Sequence, residues 1–234
     1  MLAALISAAP DAPSAIAGPG TGFATAERAL ELLGLFVFAV SGGMLAVRKG
    51  FEVVGVTALA CTTALGGGVI RDLVLGDTPP RAFRDVAYLV VPLGAAFVVF
   101  MGHSWISRSL HRSVQVFDAI GLGLFTVTGA VKAAAYSTTA LGAVLLAVVT
   151  AVGGGILRDV LANDQPQLFQ PHSRLYSIPA TVGAAIVVTA YRNGWYSGLV
   201  GGTVAALVCA VRLAALQFGW HAPMPFRTVD HPAQ

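Results

Sequence analysis

Two short runs in this chain, GGGVIRD and GGGILRD, place an arginine–aspartate pair shortly after three consecutive glycines. The charged residues are Arg71, Asp72, Arg158 and Asp159. In apolar segments such as these, a charge near the middle of a membrane costs about 2.5–3.5 kcal/mol, so it pairs or faces water. Neighbouring side chains on a helix point about 100° apart, so we expect pairs between the two runs, Arg71 with Asp159 and Arg158 with Asp72. Two roles of these four side chains stay open. They line or gate a pore, or they extend to the membrane interface.

The glycines of these runs allow two interpretations. A glycine in a helix interior costs about 1 kcal/mol relative to alanine, so three together weaken or kink a helix and free carbonyl groups for an aqueous path. Close packing of neighbouring helices is the other use of small residues in a membrane. The recurrence of the run favours a role in a permeation pathway. The candidate kink or pore residues are Gly66, Gly67, Gly68, Gly153, Gly154 and Gly155.

A third polar segment, VFDAIGLGLFTVTGAVKA, contains an acid and a base on one helix face. Asp118 and Lys132 are 14 residues apart, nearly four helical turns, and Phe125 and Gly129 share their stripe. This spacing indicates a polar track with an acid at one end and a base at the other. The alternative is that Asp118 caps the helix and Lys132 extends to the membrane interface. The candidate polar or gating residues are Arg71, Asp72, Asp118, Lys132, Arg158 and Asp159.

The composition of the chain decides which class of protein holds these residues. The 234 residues are 56% hydrophobic and 11% charged, with a mean hydropathy of +0.77. Soluble domains carry about 25% charged residues, so a soluble enzyme is excluded and a polytopic membrane protein remains. The net charge of +3 is small, so nucleic acid is not an expected partner. No nucleophile–base arrangement or metal-ligand spacing is recognisable, so we expect no enzyme, no metal site and no cofactor.

Seven apolar stretches are long enough for a hydrocarbon core that needs about 20 helical residues. They predict an all-α membrane bundle with spans at residues 29–47, 52–75, 86–103, 115–135, 139–161, 174–191 and 196–216. The excess of basic residues on one side predicts an outside amino terminus and a cytoplasmic carboxyl terminus. The aromatic residues near span ends are predicted to form an interfacial belt: Tyr88, Trp105, Tyr176 and Trp195.

The chain repeats itself at an offset of 87 residues. Segments 31–92 and 118–179 align without gaps and share 19 identities in 62 positions. Each repeat holds three spans, so the second must cross the membrane inverted, as in many transport proteins. Glu31 matches Asp118, but Leu45 takes the position of Lys132. The predicted parts are a flexible extension at 1–26, a first repeat at 27–113, a second, inverted repeat at 114–193, a seventh helix at 194–218 and a tail at 219–234.

At these motifs the sequence resembles the prokaryotic members of the TRIC (trimeric intracellular cation) channel family, which includes YadS/YicG-like bacterial membrane proteins. The likeness covers residues 27–216 and is carried by GGGVIRDLV, GGGILRDVL, FAVSGGMLAVRKG and FDAIGLGLFTVTGAVKA. One departure is Glu31, where an aspartate is expected. The resemblance implies two inverted triplets plus a seventh helix, and a homotrimer with one pore per subunit. It also implies K⁺ as the permeant ion, kinks at the glycine triplets, and Lys132 as the basic residue that controls opening.

The resemblance further implies a prokaryotic plasma membrane protein whose partners are copies of itself and lipids, with no soluble partner. Some bacterial relatives are described as glycine transporters, so a secondary transporter of a small amino acid stays open beside the channel. In that case Arg71 or Arg158 would hold the substrate carboxylate. Asp72, Asp118 or Asp159 would then hold its amine.

Overall fold

The structure is a computed structural model that describes residues 21–102, 110–136, 138–170 and 176–220. Within these ranges the chain forms eight α-helices, one 3₁₀ turn at Gln167–Phe169 and no strand, so the all-α prediction is confirmed. The helices are α1 (Thr21–Arg48), α2 (Val53–Val74), α3 (Arg81–Arg84), α4 (Ala87–Met101), α5 (Leu110–Ala135), α6 (Ala140–Leu161), α7 (Ser177–Arg192) and α8 (Gly198–Phe218).

Five of these helices are long and apolar enough to cross a membrane. They are α1, α2, α5, α6 and α8, whose most apolar windows have a mean hydropathy of 1.6 to 2.3. The protein is therefore a multi-pass membrane protein. Helices α4 and α7 have 15 and 16 residues, fewer than the roughly 20 that a straight span needs. The third and sixth predicted spans are thus shorter than expected, and the count of seven stays a prediction.

The first helix begins earlier than the hydropathy pattern indicates. Helix α1 starts at Thr21, so the last six residues of the predicted extension at 1–26 are helical. The reason is local, because the segment TGFATAERALELL after Pro19 contains no further proline and is rich in the helix formers Ala, Leu and Glu. Residues 1–20 of that extension, and residues 221–234 of the predicted tail, lie outside the described chain.

The long helices pack in two matching sets. Helices α1, α2 and α4 contact one another, and α5, α6 and α7 do the same. The sets meet where α1 packs on α5 and α2 packs on α6, while α8 lies against α5 and α7. Phe38 and Phe125, which are 87 residues apart in sequence, stack at the α1–α5 contact with ring centroids 5.2 Å apart. Helix bounds follow the same offset, since Val53–Val74 matches Ala140–Leu161.

Candidate functional site: two buried charge clusters

Charged side chains of four helices meet at one end of α5. This first cluster consists of Glu31, Arg71, Asp72, Asp77, Arg81, Tyr88 and Lys132. At its centre the Arg71 guanidinium is only 1% exposed. Its Nη2 donates to Glu31 Oε1 at 2.8 Å, and its Nε donates to Asp72 Oδ1 at 2.8 Å. Two carboxylates thus compensate a buried cation whose desolvation is otherwise costly.

Lys132 joins this cluster from the carboxyl-terminal part of α5. Its ammonium lies 2.7 Å from Asp72 Oδ1 and 2.7 Å from Asp77 Oδ2, and its side chain is 15% exposed. Asp77 also accepts a hydrogen bond from Arg84. Partial burial raises the pKa of Asp77, but the hydrogen bonds from Lys132 and Arg84 outweigh it and lower that pKa from 3.8 to about 2. The loop after α2 is therefore bound to α5 through an ionised carboxylate.

A second cluster lies near the other end of α5 and consists of Ser41, Asp118, Arg158, Asp159 and Tyr176. Arg158 Nη1 donates to Asp118 Oδ1 at 2.8 Å and to Ser41 Oγ at 2.6 Å, and its Nε donates to Asp159 Oδ1 at 2.9 Å. Fourteen residues of helix separate Asp118 from Lys132, which places the clusters roughly 21 Å apart along α5.

The expected cross-pairs between the two runs are wrong. Each arginine binds the aspartate that follows it and an acid 40 residues earlier, Glu31 for Arg71 and Asp118 for Arg158. Neighbouring side chains do leave the helix in different directions, but an arginine is long enough for its Nε to reach back to its neighbour's carboxylate. Both guanidinium groups turn into the bundle and are 1% exposed, so extension to the membrane interface is also wrong for them.

Two tyrosines that hydropathy assigned to an interfacial belt belong to the clusters instead. Tyr88 OH donates to Glu31 Oε2 at 2.5 Å, and Tyr176 OH donates to Asp118 Oδ1 at 3.5 Å. Both rings are buried. The signal that hydropathy missed is the spacing of the two tyrosines, which are 88 residues apart, close to the repeat offset of 87. Trp195 is exposed, as a belt residue should be, and Trp105 lies outside the described residues.

The glycine triplets mark the crossing of α2 and α6, and both helices run unbroken through them. A Cβ atom added to Gly67 would lie 2.1 Å from the backbone oxygen of Thr150, and one added to Gly154 would lie 2.1 Å from that of Thr63. Only glycine permits this approach of two backbones. The structure therefore gives the middle glycine of each triplet a packing role.

Comparisons with known proteins agree with this architecture. A family model described as glycine transporter matches residues 28–104 and 115–192. The solved structure of a TRIC trimeric intracellular cation channel orthologue from Rhodobacter sphaeroides is 36% identical to the chain, with a TM-score of 0.78. That match covers 83% of this chain and 99% of the other. The chain belongs to the TRIC family. The resemblance predicted from the sequence motifs is thereby confirmed.

Further relatives in the TRIC family carry names that specify a membrane location without a substrate. A membrane protein of Streptomyces coelicolor is 42% identical over 204 residues, covering 86% of this chain and 91% of the relative. The inner membrane protein YadS of Escherichia coli is 33% identical over 205 residues, covering 86% of this chain and 96% of the relative. These names agree with the multi-pass helical fold.

Proposed function

We propose that the protein is a homotrimeric cation channel with one K⁺-permeable pore in each subunit. The observation that carries the proposal is the agreement of fold and sequence with a TRIC cation channel orthologue over nearly the whole length of that protein. A buried charge cluster near each end of α5 adds to it, because such groups in a membrane bundle mark ion pathways more often than they serve packing alone.

The proposed topology has seven spans, with α4 and α7 as the short third and sixth. Residues 27–113 and 114–193 form two inverted three-helix repeats, and α8, within residues 194–218, is added to them. The amino terminus lies outside and the carboxyl terminus in the cytoplasm of a prokaryotic cell. Lipids and two further copies of the chain are the partners. The two helix sets make equivalent internal contacts, which supports this arrangement.

The proposed pore follows α5 between the two clusters. Lys132 would close one end, since its ammonium already occupies the position of a cation on Asp72 and Asp77. The glycine triplets would let α2 and α6 approach each other beside this path. Carboxylates, hydroxyls and backbone carbonyls along such a pore bind K⁺ and Na⁺ with weak discrimination, because the sequence contains no TVGYG filter.

Transport of a small amino acid such as glycine is the second candidate, and the description of the matching family model is the observation in its favour. In that mechanism Arg71 or Arg158 would hold the substrate carboxylate. Each guanidinium already donates to two carboxylates of the protein. At Arg158 a substrate carboxylate would have to displace one of them, and at Arg71 only the buried Nη1 has no partner among the described residues. This geometry favours the channel.

The test uses the full-length protein reconstituted into liposomes. We expect rapid K⁺ flux from loaded vesicles, unitary current steps in planar bilayers and no saturable uptake of labelled glycine into the same preparation. Saturable glycine uptake without current steps would establish the transporter and refute the channel. Light scattering in detergent tests the assembly, for which three chains of 24.0 kDa are expected.

A further inference from the structure

Two buried polar atoms near the first cluster have no hydrogen-bond partner among the described residues. They are Nη1 of Arg71 and the hydroxyl oxygen of Thr128, which lies on α5 one turn before Lys132. The Arg71 side chain is 1% exposed and Thr128 is 8% exposed. A polar group buried without a partner is costly, and native structures contain few of them. Two such atoms in one region therefore point to a ligand that binds both.

The internal repeat shows how the matching atoms are satisfied in the other half of the chain. Arg158 matches Arg71, and Ser41 matches Thr128, at the offset of 87 residues. Arg158 Nη1 donates to Ser41 Oγ at 2.6 Å, and the Ser41 hydroxyl donates to the backbone oxygen of Val114 at 3.2 Å. The two groups that bind each other in the second cluster are thus the two that lack partners in the first.

The length of one acidic side chain accounts for this difference between the clusters. Asp118 accepts from Nη1 of Arg158 at 2.8 Å. Glu31 takes the place of Asp118 in the first repeat, is longer by one methylene group, and accepts from Nη2 of Arg71 instead. The Arg71 guanidinium is therefore bound to carboxylates through Nε and Nη2, which leaves the two N–H groups of Nη1 for another acceptor.

The Thr128 hydroxyl also differs from those of other threonines in the bundle. Six threonines of the described helices donate to the backbone oxygen four residues earlier: Thr57, Thr63, Thr126, Thr150, Thr181 and Thr203. This local bond satisfies a hydroxyl inside an apolar helix. Thr126, two positions before Thr128, makes it to Leu122 at 2.7 Å. Since Thr128 does not, its hydroxyl is available to a ligand.

The first cluster also has space where the second is filled. A cavity of about 10 Å³ lies against Arg71, Gly68 and Phe125, which is close to the smallest volume that holds one water molecule. A Cβ atom on Gly68 would meet nothing nearer than Arg71 Nη2, at 3.9 Å. One on the matching Gly155 would lie 2.6 Å from the Tyr176 hydroxyl. A molecule the size of water therefore fits beside Arg71 and has no room at the equivalent place.

We propose that a water molecule bridges Arg71 Nη1 and the Thr128 hydroxyl, and that Thr128 faces the pore one helical turn inside Lys132. Water accepts from the guanidinium and donates to the hydroxyl, so it satisfies both groups. A neutral ligand fits because Glu31 and Asp72 already compensate the charge of Arg71. Four residues of helix place Thr128 about 6 Å from Lys132 along α5. The inference rests on the proposed channel and names where its aqueous path passes the lysine.

Cysteine accessibility tests the proposal on the full-length protein with Cys61 and Cys209 replaced by serine. Thr128→Cys should react with methanethiosulfonate ethylammonium, and mass spectrometry measures the modified fraction over time. Thr126→Cys is the matched control, because Thr126 is a buried threonine of the same helix that is satisfied by its own backbone. Thr128→Cys should react at least about tenfold faster, since access to a dry position requires local opening of the bundle. Equal rates, or no reaction of Thr128→Cys, would overturn the proposal.

An isosteric variant keeps the test decisive if Thr128→Cys fails to fold. Thr128→Val removes the hydroxyl, so a bridging water would lose a partner and the midpoint of SDS unfolding should fall. Removal of a hydroxyl that binds nothing would instead stabilise the protein, so an unchanged or higher midpoint would overturn the proposal. Reaction of Thr128→Cys without K⁺ flux in liposomes would refute the channel and leave the water site standing.

Discussion

Replacing the middle glycine of either triplet by alanine tests whether the two runs exist first to let α2 and α6 cross. In Gly67→Ala the added methyl group lies 2.1 Å from the Thr150 carbonyl oxygen, more than 1 Å short of ordinary van der Waals contact. Gly154→Ala meets the Thr63 oxygen in the same way. The obstacle in both variants is backbone, so no side-chain rotation relieves it. The helices must separate, and their packing is lost with the separation.

The third glycine of the first triplet supplies a matched control. A Cβ atom on Gly68 meets only Arg71 Nη2, at 3.9 Å. Gly67→Ala and Gly68→Ala gain the same helix propensity, about 1 kcal/mol, so this gain cancels when they are compared. Overpacking costs about 1–3 kcal/mol. We therefore expect Gly67→Ala to be less stable than Gly68→Ala by about 1–3 kcal/mol, and Gly68→Ala to equal or exceed the wild type in stability.

The measurement is reversible unfolding of the purified protein in mixed micelles with increasing SDS, followed by circular dichroism. Gly67→Ala and Gly154→Ala should shift the midpoint to lower SDS by similar amounts, because their contacts are equivalent. Retention of helical signal before the transition would show that each variant folds. Equal stability of Gly67→Ala and Gly68→Ala would refute the packing role and leave a role in the pore as the interpretation of the triplets.

Three further predictions concern the charge clusters. K⁺ flux through Lys132→Met should exceed that through Lys132→Arg, which keeps a positive charge beside Asp77; equal flux would exclude Lys132 as a gate. Tyr88→Phe removes a hydrogen bond to the Glu31 carboxylate and should cost about 1.5–3 kcal/mol in SDS unfolding. Tyr176→Phe, whose contact is longer, should cost less, and the reverse order would contradict the geometry. Because the pKa of Asp77 is about 2 in the folded protein against 3.8 ordinarily, its stabilisation is complete above about pH 4 and is lost as the pH falls towards 2. The stability difference between wild type and Asp77→Asn should thus stay constant from about pH 8 to about pH 5 and shrink below about pH 4.

The helices were largely predictable because their apolar runs are long and sharply bounded. The span expected at 52–75 is the helix Val53–Val74, and the one expected at 139–161 is Ala140–Leu161. Hydropathy failed at the start of α1, where Thr21 and the small residues after it are helical without being strongly apolar. It also overestimated α4 slightly, because the span predicted at 86–103 includes Val86 and Gly102, which flank the helix Ala87–Met101.

The identity of the charged residues was predictable from the repeat, but their partners were not. Spacing along one helix says nothing about an acid 40 residues away on another helix, and so the sequence could not assign Glu31 to Arg71. Tyr88 was misassigned for the same reason, since hydropathy records a tyrosine near a span end without the carboxylate that faces it. The helix that carries both Asp118 and Lys132 was predicted from the sequence, whereas the two carboxylate partners of Lys132 came only from the fold.

A comparison of the two repeats separates what the fold requires from what each half does differently. A buried arginine needs compensating carboxylates in either half, because an unpaired buried charge destabilises a protein by about 3–5 kcal/mol. Arg71 and Arg158 obtain them in the same way, so folding accounts for the partners of each arginine, while the arginines themselves belong to the proposed ion pathway. The exchange of Lys132 for Leu45 changes the contacts of the inner carboxylate. Asp72 binds Lys132, whereas Asp159 is bound, among the described residues, by Arg158 and a backbone N–H alone, and the outer carboxylate Asp164 pairs with Lys49 instead. Lys132 lies 2.7 Å from both Asp72 and Asp77 and, in the described part of the chain, has no equivalent at Asp159. It is therefore the strongest candidate for a functional residue in this chain.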